Sequence, residues 1–162
     1  MNGTCALAKH TNYPGKEYDS VTHLDWLQDM GEPVDAEKHM KKTLAKDGTW
    51  MIVEPFANDR VEDNLNPIGR GYYAASTMIC VPASLAYNGP ALGAQAGEAR
   101  LRDVVMKGGL TRFRRSTPTP FNPVLEARPL AGMTVPNRGR VFAPPFHFKS
   151  GGAMTISNRL HA

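Results

Sequence analysis

Residues 18–56, YDSVTHLDWLQDMGEPVDAEKHMKKTLAKDGTWMIVEPF, decide the fold. Tyr18–Leu24 is rich in aromatic and β-branched residues, which suit an extended chain, and it breaks into the polar corner Asp25-Trp26-Leu27-Gln28-Asp29. Pro33 suits the first position of a helix, where an N–H would go unused. Val34, Glu37, Lys38, Met40, Lys41 and Leu44 then predict about three helical turns. Lys46-Asp47-Gly48 is the turn signal that ends them. Trp50-Met51-Ile52-Val53 is apolar without alternation, the pattern of a strand covered on both faces. Strand, helix and strand make one right-handed βαβ unit. Both strands end in carboxylates: Asp25 and Asp29 after the first, Glu54 after the second. Solvated loop carboxylates would have the same spacing. Ligands of open parallel sheets, however, bind beyond the carboxyl ends of the strands, and that shared location makes these three candidate site residues.

Around this unit the composition sets bounds. A chain of 162 residues allows one domain with a real core, and 41% apolar with 21% charged residues is ordinary for a soluble globular protein. No run approaches the roughly 18 apolar residues of a membrane helix. The start, MNGTCALAKH, lacks the basic region of a signal peptide. Cys5 and Cys80 lie far apart with no CxxC pattern and are expected to be free thiols of a cytoplasmic protein. The net charge of +4 comes from the end of the chain: from Leu130 onward there are Arg138, Arg140, Lys149 and Arg159 and no acid, and the remainder is neutral. The basic balance therefore does not mark a nucleic-acid-binding face. Residues 130–162 are also rich in Gly, Pro and Ser without a period, the composition of a disordered tail.

The remaining segments follow the same rules. Residues 1–17 form a poorly structured lead-in, with Tyr13-Pro14-Gly15-Lys16 a turn before the first strand. Residues 57–71 are an irregular polar loop. Tyr72–Val81 (YYAASTMICV) is a helix or a half-buried segment, which periodicity does not separate over so short a run; Pro82 is a break. Gly97–Lys107 is a second amphipathic helix, ended by Gly108-Gly109. Thr111–Ser116 and Asn122–Arg128 predict two strands joined by Thr117-Pro118-Thr119-Pro120. The architecture that results is α/β: a parallel βαβ unit closed by an antiparallel hairpin. The five histidines (His10, His23, His39, His147, His161) show no metal-ligand spacing. Arg112, Arg114 and Arg115 flank an apolar Phe113, as on a strand with one solvated face, and no nucleic-acid motif accompanies them. No GxSxG, Walker or HExxH pattern occurs, and Ser84 has no base near it in sequence. ALGAQAGEARL, with Gly93 and Gly97, fails the GxGxxG spacing and is the start of a helix.

DWLQDMGEP, then KDGTWMIVEPFANDRVEDNLNPIGRGYYAASTMICVPASL, then ALGAQAGEARLRDVV with TRFRRSTPTPFNPVLEARP, resemble the C-terminal half of class I S-adenosylmethionine-dependent methyltransferases. The resemblance extends to bacterial small-molecule methyltransferases with a winged-helix-like dimerisation region ahead of the catalytic domain. The resemblance runs from about Asn12 to Pro129, so that 18–129 would be the C-terminal half of a methyltransferase-like domain. It implies a partial Rossmann-like sheet with helices on its faces: Tyr18–Leu24 as strand four, Trp50–Glu54 as strand five, and the hairpin as antiparallel strands seven and six. The family holds its cofactor mainly through a glycine-rich loop after strand one and an acid after strand two, and neither motif occurs in this sequence. The cofactor contacts that the resemblance leaves to this chain are Leu24, Asp25 and Trp26.

Related O-methyltransferases place a His-Asp pair in the corner after strand four, the His acting as general base. This sequence has Gln28-Asp29, and an amide cannot take that proton. By resemblance Gln28, Asp29 and Glu54 are the catalytic positions, and Met30, Phe56, Tyr72, Tyr73, Met78 and Cys80 line the acceptor pocket. Ser20 and His23 stand in strand four where relatives are apolar. These departures suggest a methyltransferase-like protein, an incomplete copy lacking the cofactor loop, whose ancestral reaction is methyl transfer to a small-molecule acceptor. The alternative is a non-catalytic binding or interaction module derived from the same fold. Without strand one, Tyr18–Leu24 would be an unprotected edge and the chain would self-associate through it.

Overall fold

The computed structural model describes residues 11–130 and Ala153–Ser157; Cys5, His10, His147 and His161 lie outside them. The βαβ unit forms as its sequence predicts. β1 (Tyr18–Leu24) and β2 (Leu44–Val53) pair in parallel, with Val21 opposite Trp50 and His23 opposite Ile52, and α1 (Pro33–Thr43) connects them. Pro33 does occupy the start of the helix. Lys46-Asp47-Gly48 is not a turn, however. β2 begins directly after α1, and the pairing slips between Tyr18/Leu44 and Ser20/Thr49, so that the segment carrying Gly48 bulges from the ladder. A Cβ on Gly48 would lie 2.7 Å from the Tyr18 carbonyl, and only glycine fits that approach.

Residues 67–86 are helical, which settles the segment 72–81 that periodicity left open and corrects the end of the expected loop, since the helix already begins at Pro67. Asn66 caps α2 (Pro67–Ala75) by accepting the Gly69 N–H at 2.8 Å. The chain then passes through one π-type turn (Ser76–Cys80) into α3 (Val81–Ala86). Pro82 explains the turn: it has no N–H to give to the Met78 carbonyl, and the helix widens so that the Val81 N–H reaches Ser76 instead. The expected break is a bulge in a continuing helix.

α4 (Gly97–Gly108) follows, ended by Gly109 in the left-handed region. β3 (Arg112–Pro118) and β4 (Pro123–Arg128) form the hairpin, and β4 runs antiparallel to β2. α1 and α4 pack together against one face of the sheet, over Val21, Trp50, Ile52, Phe113, Leu125 and Ala127. Trp50 is fully buried, which contributes about 3 kcal/mol, and His23 meets its ring edge-on at 5.2 Å. β2 itself is not covered on both sides: Met51, on the opposite face, is 36% exposed. Among the described residues the helices cover one face only. Two of the three arginines of β3 are paired within the fold, and an arginine of α4 covers its phenylalanine. Arg114 pairs with Glu126, Arg115 with Glu98, and the Arg102 guanidinium lies 4.7 Å from the centre of the Phe113 ring. The lead-in also has an anchor: Tyr13 is buried against α1, its hydroxyl bonded to Thr43 Oγ1 at 2.9 Å, its carbonyl accepting from His39 Nε2.

The sheet has five strands in the order β3-β4-β2-β1-β5, and this corrects the expectation for Tyr18–Leu24. β5 (Ala153–Ser157), from the stretch expected to be disordered, pairs antiparallel with β1 from Ser20/Ser157 to Leu24/Ala153. β1 is therefore not an edge: its outer N–H and C=O groups are used by the chain's own end. At the other edge β3 carries Arg112, Arg114, Arg115 and Pro118, residues that discourage further pairing. Ending the chain before Ala153 would open β1. The shortened chain is expected to sediment at low micromolar concentration as dimers or larger species to a greater extent than the full chain. Identical sedimentation of the two would remove the edge argument.

Candidate functional site

The site is built where β1 and β2 end. Asp25 leaves β1 with a positive φ of 47°, which Asp tolerates better than most residues, and its N–H continues the ladder to the Val53 carbonyl at 2.8 Å. This sharp exit turns Trp26–Asp29 across the end of β2. There Glu54 accepts the N–H of Leu27 at 2.9 Å and of Trp26 at 3.2 Å on Oε1, with that of Gln28 close behind. Asn122, from the hairpin, ties the two strand ends together by donating to Asp25 Oδ1 at 3.3 Å and to the Glu54 carbonyl at 3.1 Å.

Electrostatics follow from burial. Glu54 is completely buried, which pushes its pKa up to about 8; the backbone N–H groups pull it down only in part, and the nearby Asp25 charge adds to the rise. Burial, and then the Asp29 charge, raise Asp25. Burial also raises Asp29, opposed by a hydrogen bond from the Cys80 thiol. Cys80 itself is pushed up to about 12 by burial and by Asp29, which leaves an unreactive thiol. Asp25 thus feels both Asp29 and Glu54, and the Gln28 N–H lies against the Glu54 carboxyl.

The aromatic positions divide. The Phe121 carbonyl accepts both the Phe56 N–H at 2.7 Å and the Tyr72 hydroxyl at 2.9 Å, which brings Phe56 and Tyr72 beside the corner. Tyr72 lies near enough to Asp25 for that charge, after burial, to raise its pKa. Met30 is buried in the core, and its carbonyl accepts from Ser84 Oγ at 2.9 Å. Tyr73 is half-buried. Met78 is 71% exposed, in the π-type turn. Leu24 and Trp26 are half-buried at the strand end, and Trp26 meets His23 edge-on at 5.3 Å. A hollow of ≈ 400 Å³ lies elsewhere, between the start of α1 and residues 88–90.

No family model and no curated relative matches this sequence. Solved structures do. Human N-acetylserotonin methyltransferase in complex with S-adenosylmethionine superposes on 75% of this chain with a TM-score of 0.55 and 15% identity, over 32% of its own length. An O-methyltransferase family protein from Burkholderia thailandensis gives 0.53 and 18%, over 77% of this chain and 34% of its own. The S-adenosylmethionine-dependent methyltransferase SibL, in its apo form, gives 0.52 and 18%, over 76% and 35%. This chain has the class I methyltransferase fold. It spans about a third of the length of these structures. The order β3-β4-β2-β1, with β1 parallel to β2 and β4 antiparallel to β2, is the one expected for strands six, seven, five and four. β5 occupies the free side of β1, antiparallel to it.

The residues present do not by themselves make a methyltransferase cofactor site. The corner offers acceptors and one strained turn, and the sequence has no glycine-rich loop to approach the methionine part and no acid after a second strand. Leu24, Asp25 and Trp26 stand together at the end of β1, all three half-buried.

One residue of the corner, Asn122, and one helix cap outside it, Asp59, were not anticipated. Asn122 gives no signal in sequence, because its role arises from the hairpin folding back over strand ends 97 and 68 residues away. Asp59 accepts the Ala99 N–H at 2.8 Å at the start of α4, so the glycine-rich segment before that helix is capped from within the chain.

Proposed function

We propose that this chain is the acceptor-side part of an S-adenosylmethionine-dependent methyltransferase, holding a small-molecule methyl acceptor at the corner where β1 and β2 end. The observation that carries this reading is Glu54: a fully buried carboxyl, gripped through one oxygen by the backbone of the corner and set beside Asp25, which in turn feels Asp29. A carboxyl held up to about 8 by burial exchanges a proton near neutral pH, as acceptor activation requires. Gln28 cannot accept a proton, so that task falls to Glu54 with Asp29 in support. Phe56 and Tyr72 would flank the acceptor. Leu24, Asp25 and Trp26 would meet the cofactor, and with no glycine-rich loop in residues 1–162 the chain on its own would hold it weakly. Titration calorimetry of the 162-residue chain with S-adenosylmethionine is expected to show no binding in the micromolar range. Micromolar binding would overturn the incomplete-copy reading.

The second reading is a non-catalytic interaction module. It draws on Met78, Ile79, Leu85 and Tyr87, four large apolar residues 56–73% exposed along the segment that follows α2. Absence of any small-molecule binding at the corner would favour it.

A further inference from the structure

The helical run from α2 through α3 is built inside out. Its buried stripe is small and polar: Gly69, Ser76, Cys80 and Ser84. Ser84 Oγ fastens it by donating to the Met30 carbonyl at 2.9 Å, and Ser76 Oγ by accepting the Ala94 N–H at 3.1 Å. The outer stripe is apolar. Gly71, Ala74, Met78, Pro82 and Leu85 recur every third or fourth residue and all are exposed, which is the spacing of one helix face. Ile79 and Tyr87 are exposed on the same segment. A helix that serves only its own domain turns its large apolar residues inward and carries charge outside. Here the large residues meet water, and from Gly71 to Gly97 there is no Asp, Glu, Lys, Arg or His, in a chain that is 21% charged. Gly71 adds a second observation. It lies inside α2, and a Cβ placed on it would meet nothing within 4 Å. Neither space nor a turn within the chain calls for glycine there, although glycine is a poor helix former. What it leaves is a notch at one end of the outer stripe, with Leu85 standing out at the other.

We infer that this face pairs with a second copy of the chain, the two helical segments lying antiparallel about a two-fold axis at Met78. Met78 stands midway between Gly71 and Leu85 in the sequence, and midway between Ala74 and Pro82. The axis therefore sets Leu85 of one copy into the notch at Gly71 of the other, and Ala74 against Pro82. A stripe that is small at one end and large at the other complements itself when reversed, as an isologous interface requires. With no charge on the stripe, no like charges meet across the axis. The area is sufficient. Met78, Ile79, Leu85 and Tyr87, 56–73% exposed, present on the order of 500 Å² to water, close to the largest apolar patch a monomer carries. With the small residues of the stripe the face approaches the about 800 Å² per partner of a standard interface. The pairing uses the apolar face of the second reading above, but not its denial of catalysis. Small-molecule binding at the corner would overturn that reading and leave the dimer standing.

Sedimentation equilibrium of the full chain, whose β1 edge is closed by β5, tests this, and a dimer is expected in the micromolar range. Met78→Lys brings two ammonium groups together at the axis and is expected to weaken the dimer about a hundredfold. Gly71→Leu fills the notch and is expected to weaken it about tenfold; adding Leu85→Ala should return most of that loss. Both single variants are expected to keep the circular dichroism of the parent, since each new side chain enters open space in the single chain. A full chain that stays monomeric overturns the pairing on the unaltered protein, and flotation of that monomer with phosphatidylcholine vesicles would give the face to a lipid surface instead. A dimer indifferent to Met78→Lys lies on another face and overturns it equally. One weakened by Met78→Lys but not by Gly71→Leu overturns the antiparallel arrangement.

Discussion

The melting temperature of this chain is expected to fall steadily as pH rises from about 5.5 to about 9, the reverse of acid denaturation. Two carboxyls dictate it. Glu37, on the buried side of α1, is pushed up to about 9 by burial, and the Gly108 N–H leans toward it without closing a well-formed hydrogen bond. Glu54 is pushed up to about 8. In the unfolded chain both return to the ordinary value of 4.5. A carboxyl raised by folding contributes its full stability below about pH 4.5, where both states are protonated. That contribution is lost as the pH climbs through the folded values, since only the unfolded chain ionises freely. At 1.36 kcal/mol per pKa unit the losses approach about 6 kcal/mol for Glu37 and about 5 kcal/mol for Glu54. Together they rival the whole stability of a typical domain, roughly 5–15 kcal/mol.

Glu37→Gln separates the two. The amide keeps the shape of the neutral acid and cannot ionise, so near pH 7 it should stabilise the chain by about 3 kcal/mol and flatten the pH profile by about half. Differential scanning calorimetry at several pH values checks both statements. A melting temperature that is level or rising between about pH 5.5 and pH 8.5 would show that these carboxyls are not held neutral in the folded chain.

The parts of the fold that were legible in sequence are those where local chemistry and tertiary demand agree. Pro33 opens α1, Gly109 ends α4, and the run of β2 pairs as a central strand. The site carboxylates were legible for a related reason: a parallel strand's end is fixed by its sequence, so Asp25 and Glu54 had to meet once β1 and β2 paired. What stayed hidden depends on distant groups. Lys46-Asp47-Gly48 carries a turn signal, but the sheet captures those residues as a bulge. Pro82 signals a break, yet its missing N–H is absorbed by one widened helical turn. The pairing of residues 153–157 with β1 reflects an edge that needed a partner more than the composition of the strand that met it. Met78, given to the acceptor pocket by likeness of sequence, is 71% exposed in the described chain.

The closest test of how α1 and α4 are fitted together is Gly108→Ala. Two effects oppose each other. Alanine is the better helix former by about 1 kcal/mol, and in an open helix the change would stabilise. Here a Cβ on Gly108 would lie 2.2 Å from Glu37 Oε2 and 2.5 Å from Glu37 Cβ. The carboxyl can swing away, but Cβ is fixed to the α1 backbone and cannot. The helices must separate, opening the core around Met40, Leu101 and Val105, which are almost fully buried. Overpacking of this kind costs about 1–3 kcal/mol, and contacts this short to a backbone-fixed atom belong at the upper end. The penalty therefore exceeds the propensity gain, and Gly108→Ala is expected to lose about 2 kcal/mol in urea unfolding. A neighbouring control fixes the cause: Glu37→Gly removes both clashing atoms, so in that background the same change at Gly108 should become neutral or stabilising by up to about 1 kcal/mol. If Gly108→Ala is equally costly with and without the Glu37 side chain, the contact between α1 and α4 is not what demands glycine there.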